Sequence, residues 1–314
     1  MEDLSRGRFA PSPTGRMHLG NVWAALLSYL SVKSRGGKWI LRHEDLDRQR
    51  SRAEYARLIE DDLLWLGLEW DEGGVDGRGP FGPYSQSLRD GVYEEALGRL
   101  AERGLLYPCG CRRADLLAAS APHASDGRPV YAGTCRPAGM PRRVELTSGN
   151  AVRVWVGEES VSFRDRLFGE QCFDLARECG DFVVRRADGA FAYQLAVVAD
   201  DAAMRVSEVV RGCDLLPSAA QQIYLFGLLG DEAPAYGHVP LLVNAAGQRL
   251  SKRDATLSMA ELRKRRSPGE ILGILACMAG LVARPEPVSV PDLVPLFSWR
   301  KMPAVRALCL SESL

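Results

Sequence analysis

The stretch Arg8-Phe9-Ala10-Pro11-Ser12-Pro13-Thr14-Gly15, followed by His18-Leu19-Gly20-Asn21, decides how this chain folds. Its apolar start is typical of the end of a short buried strand. The two prolines forbid helix and remove backbone donors, so they predict a stiff, extended turn after the strand. Glycines at 15 and 20 allow the backbone to approach a ligand closely. The stretch therefore predicts a strand that leads into a ligand-binding turn.

A helix is predicted directly after this turn, over residues 22–34, because apolar residues recur there at helical spacing. Asn21 is its predicted N-cap. This arrangement would place His18 and several free N–H groups at a helix N-terminus, where phosphate binds well. A strand over residues 38–42 completes a β-α-β pattern, which implies a parallel sheet.

A second candidate phosphate-binding element, Leu250-Ser251-Lys252-Arg253, lies far downstream. An ammonium group at Lys252 would neutralise the charge that develops on the transferring phosphorus and on leaving pyrophosphate. Each element alone is common on ordinary protein surfaces. Their occurrence together, in this order, indicates an enzyme that opens ATP between its α- and β-phosphates.

The two elements resemble the signature pair of class I aminoacyl-tRNA synthetases, and the chain as a whole is similar to the glutamyl branch of that family. Residues 8–15 resemble the glutamyl form of the first signature. Further resemblance lies in the strand-end acidic segment 41–47, although His43 stands where an aliphatic residue is more usual. Pocket-like segments follow at 181–186, 191–195 and 209–216. The similarity extends from about residue 6 to about residue 257.

The resemblance implies an α/β chain with a Rossmann-like, parallel-sheet nucleotide-binding fold, split by a zinc-bearing α+β insertion and followed by a short helical tail. We expect residues 1–106 to form the first half of the catalytic domain and 107–180 an inserted acceptor-type subdomain. Residues 181–257 would form the second half, and 258–314 the tail. Apolar patterns predict helices over 52–66, 87–103 and 218–229, and strands over 152–156, 182–185, 192–198 and 204–211.

The same resemblance implies the roles of individual side chains. Glutamate binding is expected from Arg8, Ala10, Ser12, Glu44, Tyr193 and Arg211. ATP binding, with accompanying Mg²⁺, is expected from His18, Gly20, Asn21, Ser251 and Lys252, of which His18 and Lys252 are catalytic. The chemistry agrees, because a guanidinium group can fork onto a carboxylate. Glu44 follows an apolar strand, and ligands gather at the carboxyl ends of parallel strands.

A metal centre is predicted inside the insertion, at Cys109-Gly110-Cys111 with Cys135. Thiolates hold zinc tetrahedrally at about 2.3 Å, and the eight cysteines of an intracellular enzyme favour thiols or metal over disulfides. The zinc ligands of the family resemble a Cys-x-Cys pair followed by Tyr-x3-Cys, which implies Cys109, Cys111, Tyr131 and Cys135. His123 is the alternative fourth ligand, and a cluster of reduced thiols is the alternative to zinc.

The length of the chain bears on the acceptor. About 60 residues follow Arg253, fewer than a separate domain of typical size needs. The chain therefore resembles a truncated paralogue of glutamyl-tRNA synthetase, without an anticodon-binding domain, that activates glutamate without tRNA and attaches it to queuosine in the anticodon of tRNA(Asp). A compact glutamyl-tRNA synthetase charging the 3′-terminal adenosine and a non-catalytic RNA-binding paralogue remain the alternatives.

Global composition is typical of a globular enzyme and does not advertise a nucleic-acid partner. The 40 basic and 40 acidic residues cancel, whereas strong nucleic-acid binders usually have a basic footprint. Arg263-Lys264-Arg265-Arg266 is the best local candidate for phosphate contact. The N-terminus lacks a signal-peptide pattern, and the apolar run 271–283 is too short to span a bilayer. We expect a cytoplasmic monomer without membrane attachment.

Overall fold

The computed structural model describes residues 5–111, 130–139, 149–158, 160–244, 246–248, 250 and 255–310. The strands are β1 (Arg6–Phe9), β2 (Lys38–Leu41), β3 (Glu72–Gly73), β4 (Leu106–Cys109), β5 (Ala151–Val154), β6 (Ser160–Asp165), β7 (Gly169–Asp174), β8 (Val183–Arg185), β9 (Glu208–Gly212), β10 (Ala235–Val239), β11 (Leu241–Val243) and β12 (Ala307–Cys309). The α-helices are α1 (Leu19–Lys33), α2 (Ala53–Trp65), α3 (Asp90–Glu102), α4 (Leu175–Glu178), α5 (Tyr193–Ala203), α6 (Leu216–Leu229), α7 (Met259–Arg265), α8 (Pro268–Met278) and α9 (Val290–Leu293). Short 3-10 helices cover Gln86–Leu88, Cys213–Leu215, Ala255–Leu257, Val294–Leu296 and Trp299–Lys301.

The centre of the fold is a five-stranded sheet in the order β10-β9-β1-β2-β3. Every neighbouring pair in it runs parallel. Strand β1 lies in the middle, with Phe9 opposite Leu41 of β2 and Arg8 opposite Val209 of β9. The predicted α/β class with a parallel sheet is confirmed.

Helix α1 connects β1 to β2 and is buried along most of its length, including Val22, Leu26 and Leu30. It begins three residues earlier than predicted, at Leu19, and its N-cap is His18. The prediction of Asn21 as N-cap is therefore wrong. Asn21 instead occupies the third helical position, where its side-chain oxygen accepts from the backbone N–H of His18 in a capping box.

The segment 192–198, predicted as a strand, lies in helix α5 and is a second correction. Its run from Leu195 to Asp201 is entirely buried, since α5 packs against both α3 and α6. A short apolar run has the same appearance in a buried strand and a buried helix, so periodicity alone could not distinguish them.

A smaller antiparallel sheet has the order β4-β5-β8, and β6 and β7 form a separate hairpin. This three-stranded sheet includes β8, so it continues past the predicted boundary at residue 180. We retain the predicted domain bounds as a proposal.

The described part of the tail packs onto α1 and the central sheet. Helix α8 contributes Ile271 and Leu275 to the same hydrophobic cluster as Leu26 of α1. Trp299 donates from its indole nitrogen to the hydroxyl of Ser31 at 3.1 Å. Within the described ranges, every helix falls short of the length and apolar character needed to cross a bilayer.

Two adjacent leucines test which face of α2 packs against the core. Leu63 is fully buried and Leu64 is 52% exposed. Leu63→Ala should lower the free energy of unfolding by about 2–5 kcal/mol, because it leaves a cavity. The matched Leu64→Ala should stay within about 0.5 kcal/mol of the unaltered protein. Urea denaturation measures both, and equal losses would contradict this orientation of α2.

Candidate active site and metal centre

A cavity of about 520 Å³ opens at the carboxyl ends of β1, β2 and β9. Predicted site residues from distant parts of the sequence line it together: Arg8, Ala10, Ser12, His18, Gly20, Asn21, Glu44, Tyr193 and Arg211. Ser251 and Lys252 lie outside the described residues, while Leu250, the residue before them, lines the cavity.

The proline turn after β1 is held by the loop that follows β2. The carbonyl of Pro11 accepts from the backbone N–H of Glu44 at 3.0 Å, and the carbonyl of Pro13 accepts from Arg52 at 2.9 Å. Proline has a carbonyl acceptor but no N–H, so the backbone of these two residues can form hydrogen bonds only through the carbonyl. The anchoring fixes Glu44 beside the turn, on the wall of the cavity.

His18 is oriented by its own helix. Its Nδ1 accepts from the N–H of Gly20 at 3.1 Å, so the neutral ring carries its proton on Nε2 and can donate from there. A Cβ atom at position 20 would lie 3.0 Å from the His18 ring, which explains the glycine. The first-turn N–H groups of Gly20, Asn21 and Val22 all bond to His18. The prediction of several free N–H groups is therefore wrong for these three residues.

A buried ion network lies beneath the cavity. Asp201 accepts from Arg42 at 2.6 Å and from two nitrogens of Arg8 at 3.4 Å. Burial opposes ionisation of Asp201, but Arg42 and Arg8 hold its pKa below the ordinary value, so it remains a carboxylate. Asp200, next to it, accepts from Arg89, Gln86 and Tyr93. The long contacts from Arg8 leave that guanidinium with further donors for a ligand.

Glu44 faces the same network from the loop after β2. Its side chain is 11% exposed and lies 3.4 Å from Nη2 of Arg42. Burial raises the pKa of Glu44 above its ordinary value, although Arg42 and Arg8 oppose this effect. A cation entering the cavity would stabilise the ionised carboxylate, so the site suits an ammonium group.

Arg211 differs from Arg8 because its hydrogen-bond acceptors within the described residues are all neutral. It donates to Nε2 of His238 at 3.2 Å, to the hydroxyl of Tyr193 at 3.4 Å and to the carbonyl of Leu215 at 3.3 Å. The residue is only 5% exposed. A buried guanidinium whose described acceptors are all neutral favours the binding of an anion from the cavity.

The start of helix α7 is attached to the His18 turn. The N–H of Met259 donates to the carbonyl of Met17 at 2.9 Å, and His18 forms a β-bridge with Ser258. The buried carboxylate of Asp62 accepts from Arg16 at 2.7 Å and from Arg263 at 2.9 Å. Arg263 belongs to the predicted phosphate-contact cluster 263–266 and is paired within the protein; the role of the cluster stays a prediction.

The cysteine cluster has dimensions that suit a metal ion. The sulfurs of Cys109, Cys111 and Cys135 lie within 4.8 Å of one another, and those of Cys111 and Cys135 are 3.5 Å apart. The hydroxyl oxygen of Tyr131 is 3.6 Å from the sulfur of Cys109. Zinc–sulfur bonds of about 2.3 Å give tetrahedral edges of about 3.8 Å, so these residues can hold a metal. His123 lies outside the described residues.

The charge state of the cluster also favours a cation. Burial opposes ionisation of Cys109, but the neighbouring Arg153 and hydrogen bonds from Cys111 and Tyr131 lower its pKa to about 7. Burial and hydrogen bonding to the other two sulfurs raise the pKa of Cys111 to about 11. A metal ion would therefore find one sulfur readily ionised and displace protons from the others.

Sequence reasoning missed three supporting residues: Asp201 contacts Arg8, His238 contacts Arg211, and Asp165 contacts His238. Asp201 carried a signal, since an acidic pair at 200–201 follows an apolar run. His238 stands in an apolar strand and Asp165 ends a hairpin strand, and neither position distinguishes them from ordinary polar residues.

Comparison with known proteins places the chain. The family described as tRNA synthetases class I (E and Q), catalytic domain, matches residues 5–279. A protein of Symbiobacterium thermophilum named glutamyl-Q tRNA(Asp) synthetase is 48% identical over 304 residues, covering 95% of this chain and 93% of that protein. A protein of the same name from Nitratidesulfovibrio vulgaris is 47% identical, with coverage of 96% and 94%. The chain belongs to the glutamyl-Q tRNA(Asp) synthetase family.

Members of this family are class I aminoacyl-tRNA synthetase-like ligases, so the chain is an enzyme of that type. Solved structures agree on the fold. A glutamate tRNA ligase of Elizabethkingia meningosepticum, in complex with its amino acid, is 26% identical with a TM-score of 0.79. The alignment covers 96% of this chain and 66% of the ligase, so the chain spans about two thirds of that longer protein.

The arrangement of Cys109, Cys111, Tyr131 and Cys135 predicts that the protein binds zinc. The purified protein should contain about one zinc ion per chain by plasma mass spectrometry. Cys135→Ser should lose most of it, because one thiolate of the tetrahedron is gone. Cys172→Ser, at an exposed cysteine outside the cluster, is the control and should keep it. Full zinc retention by Cys135→Ser would remove that residue from the site.

Proposed function

We propose that this protein activates L-glutamate with ATP, without tRNA, and transfers it to queuosine in the anticodon of tRNA(Asp). The observation that carries the proposal is the charge arrangement of one cavity. Arg211 brings a buried positive charge whose described acceptors are neutral, while Glu44 brings a carboxylate that is 11% exposed. An amino acid with a second carboxylate complements both groups.

Glutamate would bind with its side-chain carboxylate between Arg8 and Arg211 and its ammonium group at Glu44. Each charge-assisted contact contributes about 1.5–3 kcal/mol. The hydroxyls of Ser12 and Tyr193 and the backbone at Ala10 would complete the polar lining. All six of these residues line the cavity.

ATP would bind along the start of α1. The Nε2–H group of His18 is suited to donate to a phosphate oxygen, because Nδ1 is already an acceptor for Gly20. Gly20 and Asn21 hold the shape of this turn. Ser251 and Lys252, outside the described residues, would supply the second set of phosphate contacts. Mg²⁺ accompanying ATP would neutralise part of the phosphate charge.

The first step needs no protein nucleophile. An α-carboxylate oxygen of glutamate attacks the α-phosphorus of ATP, and the bond to the bridging oxygen of the β-phosphate breaks, which releases pyrophosphate. The protein contributes position and charge, with His18 and Lys252 on the phosphates. In the second step a hydroxyl of queuosine attacks the carbonyl carbon of the mixed anhydride and releases AMP.

The zinc site would be structural in this scheme. It lies in the insertion, and its residues Cys109, Cys111, Tyr131 and Cys135 do not line the cavity described above. Tyr131 is proposed as fourth ligand because its hydroxyl lies beside Cys109 and accepts from the backbone of Cys135 at 2.8 Å.

Transfer of radiolabelled glutamate by the purified protein tests the proposal. With ATP present, label should appear on tRNA(Asp) that contains queuosine and on neither queuosine-free tRNA(Asp) nor tRNA(Glu). Label on tRNA(Glu) regardless of queuosine would instead establish a compact charging enzyme. No label on any sample, together with no glutamate-dependent exchange of pyrophosphate into ATP, would establish a binding paralogue.

Two substitutions should separate substrate binding from chemistry in tRNA-free pyrophosphate exchange. Arg211→Ala should raise the KM for glutamate by about 10- to 100-fold, because a charge-assisted contact is lost. Lys252→Ala should lower kcat by about 100-fold or more with a smaller effect on that KM. Arg48→Ala, at a side chain 65% exposed, and Lys264→Ala, at one 66% exposed, are the controls. An unchanged glutamate KM in Arg211→Ala would remove Arg211 from the pocket.

A further inference from the structure

We propose that His238 is a positioning residue for substrate selection: with Asp165, it holds the guanidinium of Arg211 in place without neutralising its charge. The inference rests on the proposed function, because it assigns a purpose to the anion-binding role of Arg211. It adds two residues that do not line the substrate cavity.

The geometry forms a chain of three side chains on three strands. His238 of β10 and Arg211 of β9 are paired in register across the parallel sheet. Nε of Arg211 donates to Nε2 of His238 at 3.2 Å, and Nδ1 of His238 lies 2.7 Å from the Oδ2 atom of Asp165 at the end of β6. The side chains of His238 and Asp165 are fully buried.

The carboxylate of Asp165 is fixed from several sides. Oδ2 also accepts from the backbone N–H of His238 at 3.0 Å. Oδ1 accepts from the N–H groups of Leu167 at 3.0 Å and Phe168 at 2.9 Å. A carboxylate so placed is an acceptor only, so the hydrogen in the His238 contact belongs to Nδ1 of the imidazole.

The tautomer follows from this contact. With its hydrogen on Nδ1, a neutral His238 presents a lone pair at Nε2, which is what the Nε–H of Arg211 requires. A doubly protonated ring would place a hydrogen against that donor. Burial lowers the pKa of His238 to about 4, although the hydrogen bond to Asp165 opposes the shift. The ring is therefore neutral near pH 7.

A neutral acceptor has a specific advantage at this position. Asp201 orients Arg8 by direct ion pairing, which also neutralises much of the charge of Arg8. A carboxylate at the position of His238 would do the same to Arg211 and would compete with the substrate carboxylate. An imidazole fixes the plane of the guanidinium and leaves its charge for the ligand. Asp165 in turn fixes the imidazole through its Nδ1 atom.

The hydrogen bonds from Arg211 to His238 and from His238 to Asp165 also connect Arg211 to the hairpin β6–β7. The hairpin packs against β10, and the N–H of Arg166 donates to the carbonyl of Tyr236 at 2.9 Å. Asp165 is the last residue of β6, directly before the turn of that hairpin. The docking of the hairpin on the sheet thus determines where Asp165, and through His238 also Arg211, is held.

Two substitutions of His238 separate positioning from mere packing. In His238→Asn the amide can replace Nδ1 toward Asp165 but does not reach Arg211. In His238→Gln the longer amide can supply an acceptor near the former Nε2. We expect His238→Asn to raise the KM for glutamate about ten-fold or more in tRNA-free pyrophosphate exchange, with the KM for ATP unchanged. His238→Gln should recover most of this loss.

A double substitution tests whether the effect passes through Arg211. Arg211→Lys keeps the positive charge but has no Nε–H donor at the guanidinium position. Adding His238→Asn to Arg211→Lys should therefore raise the glutamate KM by less than about two-fold, because the interaction is already absent. Thermal unfolding of each variant, followed by circular dichroism, reports folding separately.

The outcomes divide cleanly. Equal glutamate KM increases in His238→Asn and His238→Gln, a wild-type KM in His238→Asn, or additive losses in the double variant would overturn the positioning role alone. No glutamate-dependent exchange by the unaltered protein would overturn the proposed function and this inference with it.

A nitrogen-15 NMR spectrum of the unaltered protein adds a readout independent of activity. It should show His238 neutral with hydrogen on Nδ1 at pH 7, and hydrogen on Nε2 would contradict the inference.

Discussion

The cavity depends on the ion pairs that the buried carboxylate of Asp201 forms with Arg42 and Arg8. This carboxylate holds Arg42 at 2.6 Å and Arg8 at 3.4 Å in a region where the side chains of Asp201 and Arg42 are 1% and 0% exposed. Removing one partner of such a buried pair costs about 3–5 kcal/mol, because the remaining charge is left in a poor solvent. The network therefore constrains the end of β1, the end of β2 and helix α5 relative to one another, and these elements carry Arg8, Glu44 and Tyr193.

The parallel sheet converts this constraint into a binding site. Strand β1 lies between β2 and β9, so the residues that follow each strand emerge at one edge. The proline turn is attached to this edge because its carbonyls accept hydrogen bonds from backbone N–H groups that follow β2. Two arginines reach the cavity with different charge environments, because Arg8 is paired with Asp201 and Arg211 is held by neutral groups. The difference supports Arg211 as the stronger anchor for a substrate carboxylate.

Local patterns were sufficient to predict the central β-α-β unit and the parallel sheet, and the resemblance to the zinc ligands of the family was sufficient to predict the cysteine cluster. Sequence reasoning misplaced the cap of α1, since a histidine with an asparagine three residues later forms a capping box that residue preferences do not favour. It also assigned a strand to the start of α5, where burial on several sides removes the helical period. The supporting residues Asp201, His238 and Asp165 come from distant segments. For His238 and Asp165, only the approach in three dimensions distinguishes them from ordinary buried polar groups.

A crystal structure with a non-hydrolysable glutamyl-adenylate analogue would test the central claim most directly. The account predicts that the side-chain carboxylate of the analogue lies within hydrogen-bond distance of Arg211 and Arg8. Its ammonium group should contact Glu44, and the adenylate linkage should contact Nε2 of His18. An analogue bound in the cavity with its side-chain carboxylate directed away from both arginines, or bound outside this cavity, would contradict the account.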